Sequence, residues 1–462
     1  MLARDAASPA TDSVLDAAEG AAGPCAGPPP IARLAPSQCT YSHFRRHHLL
    51  PNRPCIFPSP YTAHWALLRR WVTSTGELDW RYLREQYGDL EVDCAVCTGS
   101  EGAEADAEDA EEDVHRFADL LDLWQDGRGR RVYWRDSHLP LAVHRAVVAT
   151  GGSAREAREK VEKELYEVQA CWADDMMNEF EGSEEGKGDD FRFVYAGGGD
   201  TLTALHRDVY CSYSISTNLF GRKRWYLFSP QLTPVLRPLI AEAEREGRGV
   251  NCDAWDGERK RDFEGKGMVV VEQEAGETIF IPSGWFHSVH NLTHPTISLN
   301  HNWANTHCLP AIYASLCVEV ARAREAIDDV KDLLREQARR RGQGEEAWQE
   351  EWEMAVDALV ERSEGWSFPT LFRMILYTLK TLGISRDELE ARMENSRWPA
   401  CPEEARPPLR YVVQQVRPIV ADFRRRDEQE LRWLPGLASV VDGIDVELDR
   451  LGAAGSSAME GE

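Results

Sequence analysis

The stretch Thr203-Ala-Leu-His-Arg-Asp208 decides how the fold and the chemistry of this chain are interpreted. His206 and Asp208 are two residues apart, so on a β-strand their side chains point to one face and can reach one metal ion. A third ligand is available in His287, which ends a second strand-like run that begins at Glu277. Two histidines and one carboxylate, with other coordination positions open, are the ligand set of non-haem Fe(II) oxygenases. The sequence therefore predicts a metal-dependent enzyme.

Length, composition and charge limit the class of protein. The chain has 462 residues, of which 42% are hydrophobic, and a formal net charge of -25. This composition provides enough apolar residues for a large core. The acidic balance argues against a nucleic-acid-binding surface, because neutralising phosphates requires clustered Lys and Arg. An acidic surface also suits a basic protein partner, although such surfaces more often serve solubility.

The cysteines and the N-terminus indicate the cellular compartment in which we expect the protein. Eleven cysteines are scattered along the chain, and Cys94 and Cys97 form a lone C-x-x-C without a second pair at zinc-site spacing. Alternation with polar neighbours instead predicts that Cys94 fills the buried face of a strand. The chain shows no signal peptide and no apolar run of membrane-spanning length. We therefore expect reduced thiols, a cytoplasmic or nuclear location and no membrane association.

Composition and periodicity divide the chain into four regions. Residues 1–35 are rich in Ala, Gly, Pro and Ser, which predicts a disordered N-terminal segment. Helices and strands followed by a β-rich stretch predict an oxygenase domain over 36–306, with its barrel core at about 190–305. Apolar residues then recur at helical spacing, which predicts a helical C-terminal domain over 307–450. Residues 451–462 are predicted to be a disordered tail.

A strand after the second motif carries polar residues on one face. Thr296, Ser298, Asn300 and Asn302 alternate with apolar residues and one histidine. This face is either exposed to solvent or lines a polar barrel interior. Because a candidate metal ligand, His287, lies on the preceding strand, we favour the interior.

Lys223 presents a similar choice between solvent and interior. It lies between two arginines, yet on a strand it shares a face with Trp225 and Leu227. We therefore expect its burial, and a buried ammonium group requires an anionic partner. A dicarboxylate cosubstrate would supply one.

These motifs together resemble the JmjC family of Fe(II)- and 2-oxoglutarate-dependent oxygenases. The resemblance rests on five elements in order, namely Thr203, His206-Arg-Asp208, Gly221-Arg-Lys-Arg-Trp225, Gly276 to His287, and Asn300-His-Asn-Trp303. It implies an α+β fold, a double-stranded β-helix (a jelly-roll, cupin-like JmjC barrel) with flanking helices and a helical C-terminal domain. It covers roughly residues 40 to 430.

The resemblance also implies a role for each site residue. The metal ligands would be His206, Asp208 and His287. Lys223 would bind the distal carboxylate of 2-oxoglutarate with help from the Thr203 hydroxyl, and Asn300 and Asn302 would lie nearby. The implied cofactor is Fe(II), with 2-oxoglutarate and O2 as cosubstrates.

Within this family the chain is most similar to the JmjC domain-containing protein 4 group. That similarity implies a protein lysyl hydroxylase acting on the eukaryotic translation termination factor, with succinate and CO2 as coproducts. Two other functions remain open, a histone lysine demethylase and a non-catalytic JmjC scaffold protein. Helices that follow a JmjC barrel often mediate dimers, so a homodimer through the C-terminal helices is compatible with this interpretation.

Overall fold

The computed structural model describes residues 31–98, 103–106, 114–183, 186, 188–255, 257–344, 346–382, 384–426 and 429–457. The N-terminal segment predicted to be disordered lies outside these residues up to position 30. Residues 31–35, which the sequence predicts to be disordered, belong to the described part, because the short strand Ala32–Arg33 pairs in parallel with Cys55–Phe57. The predicted tail also starts too early, because the last helix continues to Ser457. Residues 458–462 lie outside the described part of the chain.

The strands of the described residues have the following bounds: β1 Ala32–Arg33, β2 Cys55–Phe57, β3 Cys94–Thr98, β4 Ala103–Asp106, β5 Val132–Ser137, β6 Arg192–Gly197, β7 Leu202–Arg207, β8 Tyr213–Phe220, β9 Lys223–Phe228, β10 Met268–Gln273, β11 Thr278–Ile281, β12 Phe286–Asn291 and β13 Thr296–Trp303.

The α-helices before and within the barrel are α1 Tyr41–Phe44, α2 Ala66–Arg70, α3 Trp80–Tyr87, α4 Phe117–Gln125, α5 Leu139–Ala149, α6 Ala154–Glu164, α7 Met176–Glu181, α8 Thr233–Arg245 and α9 Gly257–Lys266. Those after the barrel are α10 Leu309–Ala326, α11 Val330–Arg340, α12 Ala347–Glu364, α13 Phe368–Thr381, α14 Arg386–Glu394, α15 Leu409–Arg425, α16 Gln429–Trp433 and α17 Leu437–Ser457. None of these helices combines the length and the apolar composition that a membrane span requires.

The strands form two sheets that face each other. Nine strands lie in the order β1-β2-β11-β8-β13-β6-β5-β3-β4, and four lie in the order β10-β9-β12-β7. Apart from β1 with β2, the paired strands are antiparallel. Lys223 on β9 donates a hydrogen bond to Ser298 on β13, so the space between the sheets is a narrow interior. This arrangement, with helices around it and after it, confirms the predicted α+β double-stranded β-helix.

Alternation along the strands separates the interior from the outer faces. Trp225 and Leu227 pack with residues of β11 and β12 in an apolar cluster between the sheets. Tyr226 and Phe228 point the other way and pack under α8 and α9. The same period on β13 sends Ile297, Leu299 and Trp303 to the helix-covered side and leaves its polar residues inside. Because successive strand residues face opposite sides, these clusters place the polar row of β13 next to Lys223.

The C-terminal helices share one hydrophobic cluster with the barrel. Buried residues of β8 and β13 belong to the same cluster as Leu316 of α10, Phe372 of α13 and Leu448 of α17. Helices α13, α15 and α17 pack along one another. Their apolar faces recur at helical spacing, as the sequence predicts. The helical region is therefore joined to the barrel by a continuous core.

Candidate active site

The three predicted metal ligands lie together at one end of the four-stranded sheet. His206 on β7 is directly opposite His287 on β12, and Asp208 follows β7 at the first turn. One ligand atom from each residue lies within 4.8 Å of the others. The two imidazole rings have centroids 4.2 Å apart. This geometry suits three ligands that converge on a single ion.

Both histidines have hydrogen bonds that leave one ring nitrogen for a metal. The Nδ1 of His206 lies 2.8 Å from the carbonyl oxygen of Ala204, and the Nδ1 of His287 lies 3.4 Å from that of Trp285. A proton on Nδ1 donated to a carbonyl leaves Nε2 as the lone-pair ligand. Burial, reinforced by the neighbouring His206, lowers the pKa of His287 to about 4, so its ring is neutral and ready to bind a cation.

Asp208 has a carboxylate oxygen that suits a metal ion. In the described part of the chain, its Oδ2 is buried and has no hydrogen-bond partner. A carboxylate oxygen is expensive to bury unless a cation or a hydrogen-bond donor satisfies it. The residues present therefore fit a metal ion, with two imidazoles and one carboxylate as donors.

The turn after Asp208 is fixed by strained backbone and by the C-terminal helices. Tyr210 and Cys211 have φ angles of 61° and 58°. The Tyr210 ring packs against Trp366 with centroids 4.0 Å apart. The preceding Arg207 donates a hydrogen bond of 2.9 Å to Ser315 Oγ on α10. Local sequence patterns do not predict these contacts, because they join segments more than 100 residues apart.

Lys223 lies inside the barrel, as predicted. Only 3% of its surface is exposed, and its Nζ donates a hydrogen bond of 2.6 Å to Ser298 Oγ. No carboxylate among the described residues forms an ion pair with it. Burial disfavours the charged ammonium form and lowers the pKa of Lys223 from 10.5 to about 7. The ammonium form of Lys223 lacks an anion, and a dicarboxylate ligand would provide one.

The other predicted cosubstrate residues line the same interior. The hydroxyl of Thr203 lies 3.1 Å from that of Tyr133 on β5. Asn300 accepts a hydrogen bond of 2.8 Å from Ser216 and faces inward beside Ser298. Asn302 is buried and lies 3.4 Å from the Ser212 hydroxyl. Both Asn side chains have hydrogen-bond partners within the protein. Each therefore stabilises the interior, whether or not it also contacts a ligand.

The hydrogen-bond partners of Lys223 and Thr203 were not predicted as site residues. Ser298 contacts Lys223, and Tyr133 contacts Thr203. Ser298 belongs to the polar row of β13, so its period was a usable signal. Tyr133 lies on a strand about 70 residues before the first motif, and nothing in its neighbourhood marks it.

Three other histidines near His287, namely His290, His301 and His307, have partners away from the triad. His290 pairs with Asp253 at 2.9 Å on the outer face of the sheet, and His301 pairs with the buried Asp175 at 3.0 Å. His307 contacts the hydroxyl of Tyr411. Within the described residues, the triad is the one group of three side chains that could hold a metal ion.

Comparison with known proteins agrees with this geometry. A family model described as Cupin-like domain matches residues 41–307. The 2-oxoglutarate and iron-dependent oxygenase JMJD4 of Mus musculus is 32% identical over 308 residues, which cover 65% of this chain and 66% of that protein. The protein of the same name from Homo sapiens is also 32% identical over 308 residues, which cover 65% and 67%. The chain thus spans just under two thirds of the mouse protein and about two thirds of the human one.

A plant relative carries a different name. Arginine-specific demethylase JMJ20 of Arabidopsis thaliana is 27% identical over 319 residues, which cover 66% of this chain and 63% of that protein. The family model covers residues 41–307, which are more than half of the chain, and ends shortly after β13. The chain therefore belongs to the cupin-like JmjC family, for which iron(II), 2-oxoglutarate and dioxygen are the implied cofactor and cosubstrates.

Proposed function

We propose that this protein is an Fe(II)- and 2-oxoglutarate-dependent protein hydroxylase that acts on a lysine side chain of a eukaryotic translation termination factor. The observation that carries the oxygenase assignment is the convergence of His206, Asp208 and His287, together with a buried lysine that forms no ion pair within the described part of the chain. The lysyl and termination-factor parts of the proposal come from the resemblance to the JmjC domain-containing protein 4 group. The names of the mouse and human relatives support that group.

The triad would hold the iron, which with 2-oxoglutarate and O2 supplies the oxidant that replaces a substrate C–H bond by C–OH. His206 and His287 would bind as neutral imidazoles whose Nδ1 atoms are occupied by backbone carbonyls. Asp208 would contribute the negative charge. The protein groups orient these ligands and keep water away from the reacting centre.

The cosubstrate would lie between the sheets. Lys223 would bind its distal carboxylate, with the hydroxyls of Thr203, Tyr133 and Ser298 close by. The apolar cluster that includes Trp225 and Ile279 closes the space behind this pocket. A charged pair enclosed in this way is strengthened by the low local dielectric.

A scaffold without activity is disfavoured, because all three ligands and the interior lysine are present. A demethylase is the second candidate, and the name of the Arabidopsis relative favours it. Both reactions would use the same iron site, so the product distinguishes them. Hydroxylation adds one oxygen atom to the substrate, whereas demethylation removes methyl groups.

The test measures succinate release and the mass of the protein substrate in parallel. Purified enzyme is incubated with iron(II), 2-oxoglutarate, air and the termination factor, and methylated histone peptides are supplied in a separate reaction. We expect iron-dependent succinate release and one added oxygen on a lysine of the termination factor. Absence of succinate in every reaction would contradict the oxygenase assignment. Loss of methyl groups from the histone peptides, with the termination factor unchanged, would move the protein to the demethylase class.

A further inference from the structure

The face of β6 that points into the barrel interior carries two aromatic residues beside the candidate active site. Tyr195 lies directly opposite Ser298, and Phe193 directly opposite Asn300, in the pairing of β6 with β13. Directly opposed residues on antiparallel strands have side chains on the same face. Because Ser298 contacts Lys223, Tyr195 and Phe193 face the interior. Both are only partly buried, so they lie where the interior meets solvent.

A β-bulge brings a carboxylate to these rings. Trp134 pairs with Ala196 and Ser137 with Val194, so Arg135 and Asp136 on β5 together oppose the single residue Tyr195. Bulges of this kind occur next to active sites, where they re-aim a side chain. Asp136 also has a φ angle of 52°, a conformation that Asp and Asn tolerate better than most residues.

The bulge places the Asp136 carboxylate against Tyr195. The Tyr195 hydroxyl donates a hydrogen bond of 2.5 Å to Asp136 Oδ1. Burial raises the pKa of Tyr195 well above its usual value, and the charges of Asp136 and, more weakly, Asp208 raise it further, so the hydroxyl stays protonated.

The second oxygen of Asp136 remains available to a ligand. Its side chain is 61% exposed, and Oδ2 lies 3.9 Å from Nε of Arg135, which is at the limit of an ion pair. A surface pair at that distance contributes little energy. The carboxylate is therefore oriented by Tyr195 on one side and only weakly neutralised on the other.

We propose that Asp136, oriented by Tyr195, binds the positive charge of the side chain that the enzyme oxidises and thereby selects lysine or arginine over uncharged residues. This inference rests on the proposed oxygenase function and names a residue that selects the substrate side chain at the same site. The rings of Phe193 and Tyr195, whose centroids are 6.3 Å apart, provide an apolar surface for the alkyl part of such a side chain. A long cationic side chain has both an alkyl stem and a charged end, which match this pair of surfaces. Asp136 acts here as a specificity residue, apart from the metal ligands.

The test uses succinate release with three peptides of one neutral sequence, which carry lysine, arginine or uncharged norleucine at the centre. For the wild-type enzyme we expect the cationic peptides to raise succinate release above the peptide-free rate more than the norleucine peptide does. Asp136→Asn keeps the side-chain shape and tolerates the positive φ, so the protein should fold. It should reduce kcat/KM for the cationic peptides by about tenfold or more, the size of a lost charged hydrogen bond.

Asp189→Asn is the matched control. It removes the same charge from a half-exposed neighbour that lies 3.7 Å from Nδ1 of His138 and outside the Tyr195 contact. We expect this variant to keep the full preference for cationic peptides. Tyr195→Phe should weaken the preference, because the carboxylate loses its orienting donor.

The outcomes separate this inference from the proposed function. If the wild-type enzyme releases no succinate at all, the oxygenase assignment itself fails. If succinate is released but the wild type does not prefer cationic peptides, or Asp136→Asn retains that preference, the role of Asp136 is wrong. An equal loss of preference in Asp189→Asn would also overturn it, because the effect would then reflect net surface charge.

Discussion

Replacing Lys223 by Met separates ligand binding from folding more clearly than any other change in this site. The substitution keeps an apolar side chain of similar length and removes the ammonium group and its hydrogen bond to Ser298. If Lys223 binds the distal carboxylate of 2-oxoglutarate, the bound ligand would then carry a desolvated charge without a partner. Breaking a buried pair in this way costs about 3–5 kcal/mol. Affinity should therefore fall by roughly two to four orders of magnitude.

The same substitution should not destabilise the protein. The pKa of Lys223 falls from 10.5 to about 7 through burial, so the folded state releases a proton that the unfolded chain keeps up to pH 10.5. The resulting penalty on folding is fully present below pH 7, where it amounts to about 5 kcal/mol, and it fades as pH rises toward 10.5. The lost hydrogen bond offsets only about 1 kcal/mol of the gain. We expect Lys223→Met to be at least as stable as wild type at pH 7, with the advantage shrinking at high pH.

Two measurements check this prediction. Titration calorimetry with manganese(II) in place of iron gives 2-oxoglutarate affinity without turnover, and chemical unfolding at several pH values gives stability. Arg222→Met is the matched control, since it removes a charge next to Lys223 from an arginine whose side chain is 46% exposed. Wild-type affinity should also decline above about pH 7, as Lys223 loses its proton. An unchanged affinity in a well-folded Lys223→Met protein would refute the placement of the ligand beside this residue.

Three further results are expected. Asp208→Ala should abolish succinate release and also the rise in melting temperature that manganese(II) gives the wild type. Stability without metal should be kept, because the buried Oδ2 of Asp208 has no hydrogen-bond partner among the described residues. Turnover at the wild-type rate would exclude Asp208 as a ligand. Trp366→Ala should lower the free energy of unfolding by about 3–5 kcal/mol and should also weaken metal binding, because Trp366 packs against Tyr210. The control is Trp352→Ala, which removes another buried tryptophan of the helical region and should affect stability alone. Equal metal affinities in the two variants would contradict the role of Trp366. If the acidic surface attracts a basic substrate, association should slow as salt rises, because exposed charges are screened beyond about 8 Å at physiological ionic strength; a rate independent of salt would exclude steering.

Residues with a strong local pattern were predictable from the sequence. The period of two along β9, β12 and β13 placed Lys223, His287 and Asn300 on inward faces, and the structure confirms each placement. The alternation is informative because each barrel strand has one face toward the interior and one face toward the covering helices, so successive residues point to different environments. A helical C-terminal region was predictable for the same reason, since apolar residues recur at the helical spacing.

Contacts between distant segments could not be predicted. The bulge at Asp136 depends on how β5 registers against β6, and a single inserted residue leaves no mark in composition or period. The partnership of Tyr133 with Thr203 depends on sheet order, in which β5 pairs with β6 and β7 lies in the opposite sheet. The start of β1 was missed because a two-residue strand has no period at all.

The turn that carries Asp208 shows why the predicted boundary near residue 306 does not separate two independent units. Two successive residues with positive φ, Tyr210 and Cys211, cost of order 1–3 kcal/mol each and persist only if their surroundings hold them. That support comes from the helical region, where Tyr210 packs on Trp366 and fits above Gly365. A Cβ built at Gly365 would lie 2.5 Å from the Tyr210 hydroxyl, and its φ of +83° also favours glycine. A barrel expressed without the C-terminal helices should therefore lose the geometry of its carboxylate ligand, so metal binding depends on residues that lie far outside the iron site.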